Sequence, residues 1–271
     1  MSYVLESKNE FDRLDQQSKL PSYDYTEELA HLDLRPGEEL LDAGSGSGIV
    51  AHYLATLQPG ARILGAELSQ ERVQRANEKY KDQKNLGFTQ ADLLHPDLGR
   101  KFDKIVCRYV LSHFNSKDVT TILDGFYQHL KPNGILYLVD VDGLFLNLYP
   151  QTPFLAKCLH KLGQSEAPNM NFGRTLPFLV HQSGFSTLQW EVLTKTFDHQ
   201  SAKTENQMIT ARIQNAHDFF KKTLGSEKAV DRFLAEYTST LSKPGSSLFY
   251  NFFVLKSKKP GLSKLSAVKT N

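Results

Sequence analysis

The sequence predicts a doubly wound α/β fold, and three observations carry that expectation. Residues 38–140 alternate short apolar runs with stretches of helical spacing. A glycine-rich loop, Gly44-Ser45-Gly46-Ser47-Gly48, stands between the first run and the first helical stretch. Two acids, Glu67 and Asp92, close the next two runs. Helices between successive strands require crossovers, and crossovers make a mainly parallel sheet covered on both faces.

Before residue 36 the chain reads as helical, with Leu5, Phe11, Leu14 and Leu29 at apolar positions and Pro21 as a break. Leu34-Arg35-Pro36-Gly37 is the turn into the first strand. Residues 40–42, 62–68, 86–90, 102–108 and 135–140 are predicted strands, and residues 49–57, 70–81 and 117–130 the helices between them. Asn115 stands three residues before Asp118, a capping pair for the last of these helices. After residue 143 the pattern changes. Residues 175–182 read as a short helix stopped by Gly184, residues 185–197 as a long strand, and residues 203–240 as helix through Met208, Ile209, Ile213, Ala216, Phe219 and Phe220. Lys243-Pro244-Gly245 breaks that stretch, and LFYNFFVLK at 248–256 is a dense last strand. The helical residues between these two strands predict a cap inserted near the sheet edge.

The 271 residues hold 32 basic and 30 acidic side chains, and 40% of them are apolar. At ~150 residues per domain, this length suits one large domain or one domain plus a cap. The expected unit is residues 1–256: an N-terminal helical lid (1–35), a ligand-binding core (36–142), a pocket segment (143–184) and a helical insertion (199–246). Seventeen Phe and 11 Tyr, with the aliphatic runs, exclude disorder as the main state. Cys107 and Cys158 lie outside any CxxC pattern, which excludes a disulfide scaffold. Glu6 and Glu10 interrupt the start where a secretory leader needs an apolar run. The most apolar stretch, 135–148, carries Asp140 and Asp142 and is too short to span a bilayer. The expectation is a cytoplasmic protein without a membrane span. The net charge is +2, yet residues 257–271, with four lysines and no acid, hold +4, so the first 256 residues carry −2. That balance lacks the basic excess of nucleic-acid binders and predicts a disordered basic tail at 257–271.

Glycines at every second position let the first strand turn sharply into the helix and let a ligand approach where a Cβ would clash. The helix N-terminus adds free N–H groups and the positive end of its dipole, so the loop suits an anion, either a pyrophosphate or a carboxylate. Glu67 lies nineteen residues beyond Gly48, the distance at which an acid accepts both hydroxyls of a ribose. Asp92, in QADLL, is placed to accept from the exocyclic amine of an adenine. All three strand ends share the carboxyl edge of one parallel sheet, where open α/β folds bind ligands. Two cofactor classes fit. Gly46-Ser47-Gly48-Ile49-Val50-Ala51 matches the dinucleotide pattern G-x-G-x-x-A. Asp42, ahead of the first glycine, is a charge that dinucleotide loops do not ask for; it either orients a cationic amine near the loop or hydrogen-bonds loop amides.

The series LLDAGSGSG, GAELS, QADLL, FDKIVCRYVLSHF and LKPNGILYLVD resembles the class I S-adenosylmethionine-dependent methyltransferases, and is most similar to the group that includes the quinone-biosynthesis enzymes. The resemblance covers residues 36–142 and extends weakly to Tyr3-Val4-Leu5 with Glu10, Arg13, Leu14 and Gln17. It implies a seven-stranded Rossmann-like sheet ending in an antiparallel hairpin, S-adenosyl-L-methionine as cofactor, and methyl transfer to a small-molecule acceptor. It also implies that Asp42 and the backbone of Gly44, Ser45 and Gly46 hold the methionine amino and carboxylate groups. Glu67 would bind the ribose with Leu68 beside the adenine, and Asp92 would accept from the adenine amine with Leu93 packed next to it. Arg108 would line the methionine end through its backbone or side chain. Asn133 stands where glycine is commonest before the fifth strand, a departure that costs little because Asn tolerates positive φ.

Methyl transfer from a sulfonium is an in-line displacement, so the protein's main task is to align the nucleophile. A base is needed only where the acceptor loses a proton. His113, Tyr109, Asp140 and Asp142 are the candidates, His113 and Asp142 foremost. Residues 144–150 and Asn169-Met170-Asn171-Phe172-Gly173-Arg174 supply aromatics, amides and one arginine, which suits a mostly apolar acceptor with one polar or acidic group. Phe219 and Phe220 make 203–240 either a lid or a dimer face, leaving the chain a monomer or a homodimer. No metal site is expected, because the nine His residues are scattered along the chain. Cys107-Arg108-Tyr109-Val110 occupies the place of the Asn/Asp-Pro-Pro-aromatic run expected of DNA and many amide-nitrogen methyltransferases. An RNA or protein methyltransferase, or a nicotinamide-dependent oxidoreductase, is the alternative.

Overall fold

The computed structural model describes Phe11, Leu14 and residues 23–261. Most of the expected lid, with Leu5, Pro21 and the Tyr3-Val4-Leu5 start, lies outside the described residues, as do residues 262–271. Of the lid, a single helical turn is described in full, α1 (Tyr25–Glu28), capped by Asp24.

The core then alternates as expected: β1 (Glu39–Ala43), α2 (Ile49–Leu57), β2 (Arg62–Glu67), α3 (Gln70–Lys79), β3 (Leu86–Gln90), β4 (Phe102–Arg108) and α4 (Ser116–His129). Asn115 caps α4, its Oδ1 accepting from the Asp118 amide at 3.0 Å. Next come β5 (Leu130–Tyr149), α5 (Pro153–Gly163), α6 (Leu176–Gln182) and β6 (Ser186–Asp198). The cap is three helices, α7 (Ala202–Asn215), α8 (His217–Leu224) and α9 (Glu227–Leu241), and β7 (Ser247–Lys258) closes the fold. Helical periodicity ran through residues 203–240 without a break; Gly225, in the left-handed region at φ 101°, and Ser226, which caps α9, divide it.

The seven strands form one sheet in the order β3-β2-β1-β4-β5-β7-β6. The first five are parallel, and β7 runs antiparallel between β5 and β6, giving the expected terminal hairpin. Side chains alternate between two cores. Leu40, Val106, Tyr137 and Val139 face the one covered by α2, α3, α5 and the cap. Leu41, Ile105, Cys107, Leu136 and Leu138 face the one covered by α4 and α6. This is the doubly wound arrangement.

Two expectations need correction. β5 is predicted at 135–140 but runs to Tyr149, because β7 supplies partners for its second half, Asn147 to Tyr149 opposite Phe249 to Ser247. An irregularity between Asp142 and Asn147, with Gly143 at φ 81°, bends the strand and hides its periodicity in the sequence. The basic tail does not begin at 257: Ser257 and Lys258 pair with β5, and the Lys259 Nζ donates to the carbonyl of Leu130 at 2.9 Å. Among the described residues, no helix is long and apolar enough to cross a membrane.

Candidate active site

The carboxyl ends of β1, β2 and β4, with the loop after β3, open into a cavity of about 490 Å³ whose far wall is the cap. Asp42 ends β1 buried, 2% exposed, and its Oδ2 has no hydrogen-bond partner among the described residues. Burial pushes its carboxyl up to about 7, against the opposing pull of the Arg108 charge. The Ser45 and Ser47 hydroxyls beside it are also buried without partners. An anionic oxygen and two hydroxyls left unmatched in one wall are costly unless a ligand answers them.

The glycine loop departs from its expected use. The amides of Gly44 and Ser45 donate to the Ala66 carbonyl at 2.8 and 3.0 Å, and that of Gly46 donates to Glu67 Oε2 at 2.9 Å. These three N–H groups are therefore spent on β2 and are not turned toward an anion. A Cβ on Gly44 would meet Val110 Cγ2 at 2.5 Å, and one on Gly48 would meet the Phe88 ring at 2.5 Å, so these two glycines serve close packing. Gly46, at φ 55°, faces the cavity, with the tip of Leu14 3.0 Å from its Cβ position.

Glu67 ends β2 and is 6% exposed. Its Oε1 accepts from the Ser69 amide at 2.9 Å and from Arg72 Nη2 at 2.8 Å, while Oε2 accepts from Gly46. Arg72, from α3, also lines the cavity and was not singled out from the sequence; its spacing of five from Glu67 carries no motif. Asp92 is exposed at the rim, with Oδ1 accepting from the Leu94 amide at 2.9 Å. Leu68, 41% exposed, and Leu93, buried, flank it on the cavity wall.

Arg108 ends β4 with its side chain turned onto Glu28 of α1 and its guanidinium 4.0 Å from the centre of the Tyr109 ring. Glu28 is fully buried and also accepts from the Tyr109 hydroxyl, and its carbonyl accepts from Tyr137 at 2.9 Å. This cluster fastens α1 over the sheet end. Tyr109 holds a left-handed backbone, φ 58°, at the cavity edge, a strained conformation for an aromatic residue. The burial of its hydroxyl keeps it protonated, so it makes a poor base.

His113 lines the cavity at the end of a single 3-10 turn, Leu111–His113. Asp140 holds that turn: its Oδ2 accepts from the Ser112 amide at 3.1 Å, and burial raises its carboxyl to about 6. Asp142 is removed from the candidates. It is 1% exposed, lies outside the cavity lining, and receives Arg174 through Nε at 2.8 Å, Nη2 at 2.7 Å and the backbone amide at 3.0 Å. The same contacts keep Arg174 out of the cavity lining. A different arginine stands there: Arg212 of α7, buried, hydrogen-bonded to the Tyr23 hydroxyl and 3.4 Å from Glu205. Nothing in the sequence marks it, since it reads as one polar position in an amphipathic helix. Phe145, Phe219, Phe220 and Phe252 complete this half of the cavity, together with Asn169 and Met170. Among the described residues, no group of three His, Cys, Asp or Glu side chains is arranged to hold a metal.

Residues 41–136 match the family model described as a methyltransferase domain. The cyclopropane-fatty-acyl-phospholipid synthase of Escherichia coli strain K12 is 33% identical over 109 residues, covering 40% of this chain and 27% of that protein. The chain spans about a quarter to a half of the length of the curated relatives it matches. Among solved structures, a cyclopropane synthase from Mycobacterium tuberculosis superposes with a TM-score of 0.60 at 16% identity, covering 95% of this chain and 96% of that one. A phosphoethanolamine N-methyltransferase from Haemonchus contortus, solved with phosphomonomethylethanolamine and S-adenosylhomocysteine, gives 0.60 at 17% identity, covering 96% of this chain and 61% of that one. The fold is the Rossmann-like methyltransferase fold, and residues 41–136 match a methyltransferase domain within it.

Proposed function

We propose that the chain transfers the methyl group of S-adenosylmethionine to a small-molecule acceptor. The observation that carries this reading is Asp42: a buried carboxylate oxygen without a partner, in a cavity wall that continues through Glu67 and Asp92 at the next two strand ends. A cationic amine is the group that answers such an oxygen. In this reading Asp42 and the backbone of Gly44, Ser45 and Gly46 border the methionine end, with carbonyls and the Ser45 and Ser47 hydroxyls offered in place of the amides. Arg108 borders the same end as a fixed positive wall. Glu67 takes the ribose through the lone pair left on Oε2, and Asp92 takes the adenine amine between Leu68 and Leu93.

The cofactor supplies an electrophilic methyl carbon on a sulfonium. The chain's part is to hold the acceptor in line with it and to exclude water, a task that the Phe145, Phe220 and Phe252 rings of the cavity suit. An aromatic acceptor of the kind methylated in quinone biosynthesis fits such a lining. His113, held by the Asp140-supported turn, is the group available to take a proton from the acceptor. A nicotinamide-dependent dehydrogenase is disfavoured by the antiparallel β7 between β5 and β6, where a dinucleotide fold continues in parallel.

Calorimetric titration with S-adenosylmethionine, S-adenosylhomocysteine and NADH is the direct test. Saturable binding of both sulfur nucleotides and none of NADH is expected. Binding of NADH alone would overturn the reading.

A further inference from the structure

We infer that the acceptor is an oxyanion on an apolar body and that its anionic group docks against Arg212 of the cap; the inference rests on the methyltransferase reading. The charges of the cavity wall are unevenly spread. The side formed by the first three strand ends carries the acids Asp42, Glu67 and Asp92 with one cation, Arg72, paired to Glu67, and Asp118 lines the cavity from the start of α4. Arg108 borders the Asp42 end and Arg212 lines the cap half, and their acidic partners, Glu28 and Glu205, lie outside the lining. Both ion pairs therefore turn their positive ends inward. Glu205 is shared between Arg212 and Tyr250. Its closest approach to Arg212 is 3.4 Å, Tyr250 shares the same oxygen at 3.1 Å, and burial raises its carboxyl to about 7.

Two of the rings at this end already face cations: the guanidinium groups lie against Tyr109 and Tyr23, at 4.0 and 5.1 Å from their centres. An ammonium acceptor would meet the like charge of Arg212 here. An oxyanion finds the opposite: a buried arginine, and the apolar walls of Phe145, Phe219 and Phe220 for the rest of the molecule.

The test uses the full chain saturated with S-adenosylhomocysteine, titrated with 1-naphthoate, 1-naphthyl phosphate, 1-naphthalenemethanol and 1-naphthalenemethylamine. One of the two anions should bind at least about tenfold more tightly than the alcohol and the amine, the scale of one charge-assisted hydrogen bond. Arg212→Met should erase that preference and keep S-adenosylhomocysteine affinity within about twofold. Glu205→Gln removes the balancing charge and should strengthen anion binding by about threefold or more, a gain that misfolding cannot mimic. Equal binding of alcohol, amine and anions, tighter binding of the amine, no probe binding, or a Glu205→Gln chain without the gain would each overturn the inference. Failure to bind S-adenosylhomocysteine at all would instead overturn the reading beneath it.

Discussion

The two sides of the cavity are built by different means. The acid side uses strand ends and the loops that follow them, so each group lies within a few residues of a backbone element that fixes it: Asp42 on β1, Glu67 on β2. The arginine side joins residues far apart in the chain, Tyr23 with Arg212 and Glu28 with Arg108, through buried side-chain contacts. The first kind of construction leaves a local signature, and the second leaves none. It also divides the energetics: Asp42, Ser45 and Ser47 leave polar atoms unmatched on the acid side, whereas the ion pairs of the arginine side fasten α1 and the cap.

Variants sharpen this contrast. The largest effect belongs to Glu28→Ala, which strands Arg108 in the interior. Breaking a buried ion pair by removing one partner costs about 3–5 kcal/mol, so chemical denaturation should show a loss of that size, and a loss below about 1 kcal/mol would break the contrast. Gly46→Val comes next. It adds a β-branched side chain at φ 55° in the cavity, and calorimetry should find S-adenosylhomocysteine binding reduced at least about a hundredfold.

Asp42→Asn should weaken that binding by about 10–100-fold, the worth of a hydrogen bond to a charged group, with no loss of stability. The sign of its pH effect follows from linkage. The folded carboxyl titrates at about 7 and the free one at 3.8, so between these values the folded state holds more protons than the unfolded. Stability from this group is thus present below pH 4 and lost as pH rises through about 7. Scanning calorimetry of the ligand-free chain should show a melting temperature that declines across this window less steeply in Asp42→Asn than in wild type. An identical decline would remove Asp42 from the account.

Asp142→Asn should lower stability by about 1 kcal/mol, since its partner Arg174 is largely exposed, and should leave S-adenosylhomocysteine affinity within twofold. The smallest expected effect is on His113→Ala, whose cofactor affinity should match wild type; a drop in turnover with a found acceptor would reveal a base.

Legibility in the sequence follows the same division. The order of strands and helices from β1 to β5, the capping of α4 and the positions of Asp42, Glu67 and Asp92 could be read from periodicity and spacing. Asn133 does take the positive φ that its place in the turn demands, 66°. What could not be read depended on contacts made at a distance. Asp142 and the nearby His113 looked alike as candidates, and only Arg174, thirty-two residues on, separates them. The glycine loop looked like an anion cradle, whereas the Ala66 carbonyl and Glu67 absorb its amides. Arg212 is set apart from other helical arginines by Tyr23 and Glu205, and neither is its neighbour in a motif.

The long fifth strand has a further consequence for traffic through the site. Asp140, which steadies the His113 turn, pairs with Phe253 of β7, whereas Phe145, which lines the cavity, lies in the irregularity between Asp142 and Asn147 of the same strand. A ligand group that passes between the two regions therefore crosses a bend in the floor, which β7 holds on either side. Above that floor lie the α1 turn and the cap helices, and the hydrogen bond from Arg212 to the Tyr23 hydroxyl joins the two.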